Sequence, residues 1–172
     1  TDTWAKDYQD YPSSADYSHN NGNVNDEYYN EDIFVGYRYF DTFEVEPAYC
    51  FGYGKSYTEF TIQTDHVEIE KSDVMFWVDV KNVGDAFAGK EVIQVYVSAP
   101  GKDLEKPYQE LVAFRKTSLL PPKAGECVLV RFPLAALASY NSKDAAWELE
   151  EGDYLIRVGN SSRNTQPVAV LR

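Results

Sequence analysis

Alternating apolar and polar residues predict a series of β-strands in the second part of the chain. Between residues 74 and 80 every second position is Val or Phe, while Met, Trp and Asp occupy the positions between them. Such a two-residue period is typical of a strand that buries one face. The same period recurs in three further segments, at residues 93–97, 128–132 and 154–158. Less regular strands are predicted at residues 111–119, 147–149 and 168–171.

Turn-forming residues separate these segments into about seven short strands. Residues 82–85 and 121–125 contain Asn, Gly or Pro, which favour reversal of the chain. Short strands at this spacing are typical of an antiparallel β-sandwich of the immunoglobulin or fibronectin type III-like kind. We therefore predict an all-β fold for residues 58–172. Within it we expect one helical turn at 133–140 and a tyrosine corner at Tyr154.

The first 57 residues lack this period, and we predict that they form an extended N-terminal segment on the surface. Eleven aromatic residues lie between Tyr28 and Tyr57. A buried aromatic side chain removes about 150–250 Å² from water, and large exposed apolar patches mark interaction sites. The aromatic stretch should therefore pack on the sandwich or on a partner domain. The predicted organisation is an acidic and aromatic linker at 1–57 followed by the sandwich at 58–172.

The formal net charge is −12, and the negative charge is concentrated in the linker. Residues 1–50 contain 11 Asp and Glu residues, against Lys6 and Arg38 as the cations. Proteins that bind nucleic acid need clustered Lys and Arg, so nucleic acid and anionic membranes are disfavoured as partners. No apolar run of about 18 residues predicts a membrane helix, and no signal peptide is recognised. Because the chain begins at Thr1, we expect a processed product or part of a longer protein, soluble and either cytoplasmic or secreted.

Five motifs follow one another along the chain. The first two are VGYRYFD at residues 35–41 and FGYGKSYT at residues 51–58. Three more lie within residues 80–97, 106–116 and 147–159. This ordered series resembles glycoside hydrolase family 3 enzymes, the β-glucosidases and their relatives, at the linker and the fibronectin type III-like domain. Lys55 is a small departure, because the family often has an apolar residue there.

The resemblance implies an accessory domain. The family's enzymes carry a barrel domain with a nucleophilic aspartate and an α/β domain that often supplies the acid/base, and neither matches this sequence. The linker would pack on both domains of a bacterial, β-glucosidase- or β-xylosidase-like parent that hydrolyses O-glycosyl bonds. Eight linker residues are the expected interdomain contacts: Tyr37, Arg38, Tyr39, Phe40, Asp41, Phe51, Tyr53 and Tyr57.

Two other functions stay open, because a fold does not decide a function. The surplus of Tyr and Trp would also suit a free-standing carbohydrate-binding module, since aromatic rings stack on sugar faces. Sandwiches of this kind also serve as adhesion or spacer modules.

No catalytic, metal or cofactor site is predicted. Adjacent carboxylates occur in two pairs, Asp26-Glu27 and Glu31-Asp32. Neighbouring residues of an extended segment point to opposite sides, whereas the two carboxyl groups of a glycosidase face each other about 5–9.5 Å apart. His19 and His66 are isolated in the sequence and lack the spacing of a metal site.

Three polar features carry structural predictions. Cys50 and Cys127 are expected to be free, buried thiols, with a single disulfide as the alternative in a secreted protein. Arg38 is expected to pair with Asp41 and hold a bend in the linker, with a contact to sugar or to a catalytic domain as the alternative. Residues 160–162 (NSS) form a glycosylation sequon, which matters in eukaryotic secretion.

Overall fold

The computed structural model describes residues 2–26 and 28–172, and nine β-strands lie within them. In chain order the strands are β1 (Phe60–Glu70), β2 (Asp73–Asn82), β3 (Val92–Ser98), β4 (Glu110–Lys116), β5 (Gly125–Pro133), β6 (Ser139–Asn141), β7 (Ala146–Glu148), β8 (Tyr154–Ser161) and β9 (Asn164–Leu171). One antiparallel sheet has the order β1-β2-β5 and the other the order β4-β3-β8-β9. Strands β6 and β7 form a separate hairpin. Seven strands thus build the two sheets, which confirms the predicted all-β sandwich.

The two sheets enclose the apolar core that the two-residue period predicted. Every second residue of β2, from Val74 to Val80, is buried. The rings of Phe76 on β2 and Phe132 on β5 meet edge to face at 6.4 Å, and Ile156 of β8 is buried opposite them in the same cluster. Burial of each side chain of this size contributes about 1.5–3 kcal/mol to the stability of the fold. The alternating apolar residues are therefore a large source of stability.

Strand β3 is buried on both faces. Ile93, Val95 and Val97 belong to the core, as predicted. Gln94 and Tyr96 point to the opposite side of the sheet and are also buried, because residues of the N-terminal segment cover this side. The four-stranded sheet is therefore packed between the core and the linker.

The N-terminal segment, which was predicted to be extended, also contains short helical elements that its sequence did not indicate. Single 3₁₀ turns occur at Tyr8–Asp10 and Ser14–Asp16, and two α-helices follow, α1 (Ser18–Asn21) and α2 (Tyr37–Thr42). The Asp7 carboxylate accepts the amide of Gln9 at 2.9 Å and caps the first turn. Elements of one or two turns cannot show a helical period. None of the helices in the described ranges is long and apolar enough to cross a membrane.

Tyr154 forms the predicted tyrosine corner. Its hydroxyl donates to the carbonyl of Glu150 at 2.7 Å, and burial raises the pKa of this phenol. Gly152 lies between them at φ +151°, where a Cβ would come within 2.8 Å of Pro100. The helical turn expected at 133–140 is also present, as a 3₁₀ helix at Leu134–Leu137.

Both cysteines are free thiols, but the prediction that Cys127 is buried was wrong. Cys127 pairs with Asp79 in the register of β5 and β2. Both positions lie on the outward side of the sheet, between the buried positions of each strand, and Cys127 is exposed. A hydrogen bond with Asp79 raises the pKa of the Cys127 thiol. Cys50, in the linker, is half-buried.

Candidate interdomain surface

Helix α2 packs on the outer side of the four-stranded sheet. It begins after Gly36, whose φ of +60° suits glycine. Phe40 is 1% exposed. The Tyr37 ring lies 5.1 Å from that of Phe51 and 5.7 Å from that of Tyr96 on β3. These aromatic contacts place the inner face of the helix against its own sandwich.

A buried hydrogen-bond network supports this contact. The Tyr37 hydroxyl accepts the amide of Leu111 on β4 at 2.8 Å, and burial raises the pKa of Tyr37. The Tyr96 hydroxyl donates to the side-chain oxygen of Gln94, whose amide donates to the carbonyl of Asn160 at 2.9 Å. Burial also raises the pKa of Tyr96. Both phenols therefore act here as neutral groups.

Gly52 lies directly above Gln94 in the linker. Its φ is +83°, and a Cβ at this position would collide with the Gln94 side chain. Only glycine lets the chain pass this close to the sheet.

Arg163 joins the end of α2 to the turn between β8 and β9. Its guanidinium donates to the Asp41 carboxylate at 2.9 Å and to the Glu46 carboxylate at 2.7 Å. It also donates to the carbonyls of Phe40 at 3.0 Å and Val45 at 2.8 Å. Sequence reasoning missed Arg163, since it lies more than a hundred residues from its partners and belongs to no linker motif.

Two further side-chain contacts hold the same end of α2. Gln109 is buried and donates both to Asp41 at 3.1 Å and to the carbonyl of Ser162 at 2.7 Å. The amide of Tyr108 donates to the Thr42 hydroxyl at 2.8 Å. The end of the helix is thus bonded to two separate loops of the sandwich.

The predicted pair of Arg38 with Asp41 was wrong. The Arg38 guanidinium lies 3.3 Å from Glu110 of β4 and over the Tyr37 ring at 5.9 Å. Asp41 lies further along α2 and pairs with Arg163 instead. Side chains three positions apart on a helix can meet, but each of these finds an opposite charge on the sandwich.

The outward face of the same segment is apolar and partly exposed. We call Phe34, Val35, Tyr39 and Phe43 the outer apolar patch. The Phe43 ring lies 5.1 Å from the rings of both Phe34 and Tyr39. Phe43 is 53% exposed and Val35 is 57% exposed, so part of this apolar surface faces solvent.

Two other groups of aromatic residues from the linker are exposed. Trp4 bridges to Tyr49 in strand fashion, and the Tyr49 ring lies 5.1 Å from that of Tyr53. Tyr57 is 91% exposed and lies 6.0 Å from the Phe87 ring.

An open cleft of about 780 Å³ is lined by residues 50–56 and by residues of the four-stranded sheet. Phe51, Val92 and Phe114 supply apolar surface, while Lys55 and Glu91 are among its polar residues. The sequon residue Asn160 also lines the cleft. Its side chain contacts Glu91 at 3.3 Å and accepts a bond from Asn164 at 2.8 Å.

The candidate residues for chemistry are not brought together. Asp26 and Asp32 are exposed, Glu31 is half-exposed, and Glu27 lies outside the described residues. His19 contacts the rings of Tyr8 and Tyr17. His66 stacks on Trp77 at 4.7 Å, between Asp65 and Glu68. Within residues 2–26 and 28–172, no three His, Cys, Asp or Glu side chains are placed to hold a metal ion.

The eight predicted contact residues therefore divide between two sides of the linker. Those directed at the chain's own sandwich are Tyr37, Arg38, Phe40, Asp41 and Phe51. Those with outward surface are Tyr39, Tyr53 and Tyr57. The sequence motif contains both groups without distinguishing them.

Known proteins resemble this chain in sequence. The family model of the fibronectin type III-like domain matches residues 91–162. The β-glucosidase of Kluyveromyces marxianus is 39% identical over 163 residues, which cover 93% of this chain and 19% of that protein. The β-glucosidase of Ruminococcus albus is 38% identical over 171 residues, which cover 96% of this chain and 17% of that protein.

Solved structures agree over almost the whole chain. β-Glucosidase 3B of Thermotoga neapolitana has a TM-score of 0.89 and 44% identity, covering 99% of this chain and 23% of that one. The GH3 β-glucosidase of Bifidobacterium adolescentis has a TM-score of 0.89 and 31% identity, covering 99% and 25%. This chain spans about a fifth of the length of the relatives it matches. The chain therefore corresponds to the fibronectin type III-like domain of family 3 β-glucosidases, together with the segment that precedes that domain.

Proposed function

We propose that this chain is the non-catalytic accessory domain of a family 3 β-glucosidase. In this role it packs on the barrel and α/β catalytic domains and stabilises their arrangement, while the parent enzyme hydrolyses O-glycosyl bonds. The linker at 1–57 supplies the contact, and the sandwich at 58–172 holds the linker in place.

The outer apolar patch is the observation that carries this proposal. The inner face of α2 is already bonded to the sandwich through Phe40, Tyr37 and Arg163. Val35 and Phe43, which flank the helix, are more than half exposed. Contiguous exposed apolar side chains mark interaction sites, and catalytic domains joined to the same chain are the partner that the comparisons favour.

The eight predicted residues take two roles in this proposal. Tyr39, Tyr53 and Tyr57 touch the catalytic domains directly, alongside Val35 and Phe43. The inward group acts indirectly, because it sets the orientation of α2 on the sheet.

A split-protein assay tests the proposal. The 172-residue chain and the remainder of the parent polypeptide are prepared separately and assayed with aryl β-glucosides, alone and mixed. We expect no turnover by the chain alone and a gain in activity or heat resistance of the remainder when the chain is added. Turnover by the chain alone, or no effect of mixing, contradicts the proposal.

Variants of surface residues test in the same assay whether the outer apolar patch makes the contact. Replacing both Val35 and Phe43 by Ser should weaken association with the remainder by at least about tenfold, since interface aromatics often account for 2 kcal/mol or more. Tyr140→Ser on the β6–β7 hairpin is the matched control, because it removes an equally exposed aromatic residue. If the Val35 and Phe43 variant and Tyr140→Ser weakened association equally, the outer apolar patch would not be the contact surface.

A carbohydrate-binding role is the second candidate, and the cleft below residues 50–56 favours it. Its volume lies within the range of ligand pockets, and it combines the rings of Phe51 and Phe114 with the side chains of Glu91 and Asn160. Titration of the chain with cello-oligosaccharides and xylan tests this role. Absence of binding at millimolar ligand removes it.

A further inference from the structure

The guanidinium of Arg163 makes four hydrogen bonds to one short stretch of the linker. Two go to the carboxylates of Asp41 and Glu46 and two to the carbonyls of Phe40 and Val45. The partners lie within seven consecutive residues at and beyond the end of α2. A single side chain from the β8–β9 turn thus bonds this stretch to the sandwich at four points.

Arginine is suited to this arrangement in a way that lysine is not. The guanidinium is planar and carries five donors in a fixed fork, whereas an ammonium is a compact charge with three donors. The two carbonyls belong to the end of α2 and the loop after it, where backbone oxygens lack partners within the helix. Lysine could retain one or two of these contacts but not all four.

The environment of Arg163 makes its bond with Asp41 stronger than that of an exposed ion pair. The side chain of Arg163 is 29% exposed and that of Asp41 is 5% exposed. Asp41 accepts a second bond from Gln109, which is buried and also bonded to the carbonyl of Ser162 beside Arg163. Hydrogen bonds with charged partners in such partly buried networks are the stronger ones.

We infer that Arg163 is a positioning residue, which orients the outer apolar patch for its contact with the catalytic domains. Tyr39 of the patch and the Arg163 partners Phe40 and Asp41 all belong to α2, and Phe43 of the patch directly follows the helix. When Arg163 holds Phe40 and Asp41, the direction of Tyr39 and Phe43 is set as well. This inference rests on the proposed function, since it assigns Arg163 an effect on that interface without a contact in it.

Hydrogen exchange of the 172-residue chain tests the first step. We expect Arg163→Ala to reduce protection of the α2 amides, such as those of Phe40 and Phe43, by about tenfold or more while β2 amides keep theirs. Arg163→Lys should show a smaller loss. Arg131→Ala is the matched control, because Arg131 is exposed on β5 of the other sheet. Unchanged α2 protection, or an equal loss in β2, overturns the inference.

The split assay with the remainder of the parent enzyme tests the second step. We expect Arg163→Ala to raise the Kd for the remainder at least tenfold and Arg163→Lys to restore part of the affinity. Glu46→Gln, which removes one exposed partner, should have a smaller effect. If the Val35 and Phe43 variant loses affinity while Arg163→Ala does not, the positioning role is overturned and the proposed function stands. If none of the variants changes affinity, both fail.

Discussion

Glu150 offers the sharpest test of how the loops of the sandwich are held. Its carboxylate accepts the amides of Asp103 at 2.8 Å and Leu104 at 3.2 Å. The same carboxylate lies 3.0 Å from the ammonium of Lys106, and the two side chains are 7% and 6% exposed. The backbone carbonyl of Glu150 accepts a hydrogen bond from the Tyr154 hydroxyl. We predict that Glu150→Gln destabilises the chain by about 2–3 kcal/mol.

The magnitude follows from the contacts that are lost. Removing one partner of a buried ion pair costs about 3–5 kcal/mol, because the other charge stays buried without compensation. A hydrogen bond to a charged group contributes about 1.5–3 kcal/mol. Glutamine keeps the shape and can accept one amide, and the pair lies under a surface loop, so we expect a value below the full range.

Urea unfolding followed by circular dichroism measures this effect. Glu105→Gln is the matched control, since Glu105 is an exposed acid of the same loop and should change stability by less than about 0.5 kcal/mol. Equal urea midpoints for Glu150→Gln and the control at neutral pH would show that the Glu150 carboxylate does not stabilise the fold.

The pH dependence supplies an independent check. Burial by itself raises the pKa of Glu150, but the amides of Asp103 and Leu104 and the Lys106 ammonium outweigh it and lower the pKa. A carboxyl whose pKa is lowered by folding stabilises the protein above its unfolded pKa. This contribution is lost as the pH falls through the lowered folded value. The difference between the unmodified chain and Glu150→Gln should therefore shrink in acid, and a constant difference would count against the ion pair.

Three further predictions concern single side chains. Tyr154→Phe should lower stability by about 1 kcal/mol through loss of one hydrogen bond, and an unchanged urea midpoint would contradict the tyrosine corner. Asp79→Ala should accelerate alkylation of Cys127 by iodoacetamide, because Asp79 raises the pKa of that thiol; an unchanged rate would argue against the contact. Asn160 should stay unglycosylated on secretion from yeast, since its side chain is bonded to Glu91 and Asn164, and a glycan detected by mass spectrometry would show otherwise.

The strands could be predicted because their signal is local. Alternate residues of a strand face opposite sides, so Val74 to Val80 identify the core face of β2 without knowledge of its neighbours. The tyrosine corner at Tyr154 was predictable for a similar reason, because its partner Glu150 is four residues away.

The prediction of burial failed where the local pattern was short or ambiguous. Cys127 stands beside apolar residues, but it lies at an outward position of β5, opposite Asp79. No prediction was made for Gln94, a polar residue of β3 that is buried under the linker. In both cases the burial of the side chain depends on whether another part of the chain covers the outward side of its strand.

The linker separates the information that its local sequence carries from the contacts that arise only on folding. The sequence placed eleven aromatic residues between Tyr28 and Tyr57 and so required a packed segment rather than a free one. It could not assign Phe40 to the sheet and Phe43 to the surface. Nor could it pair Asp41 with Arg163, because a guanidinium selects the carboxylates and carbonyls that folding brings within about 3 Å, whatever their separation along the chain.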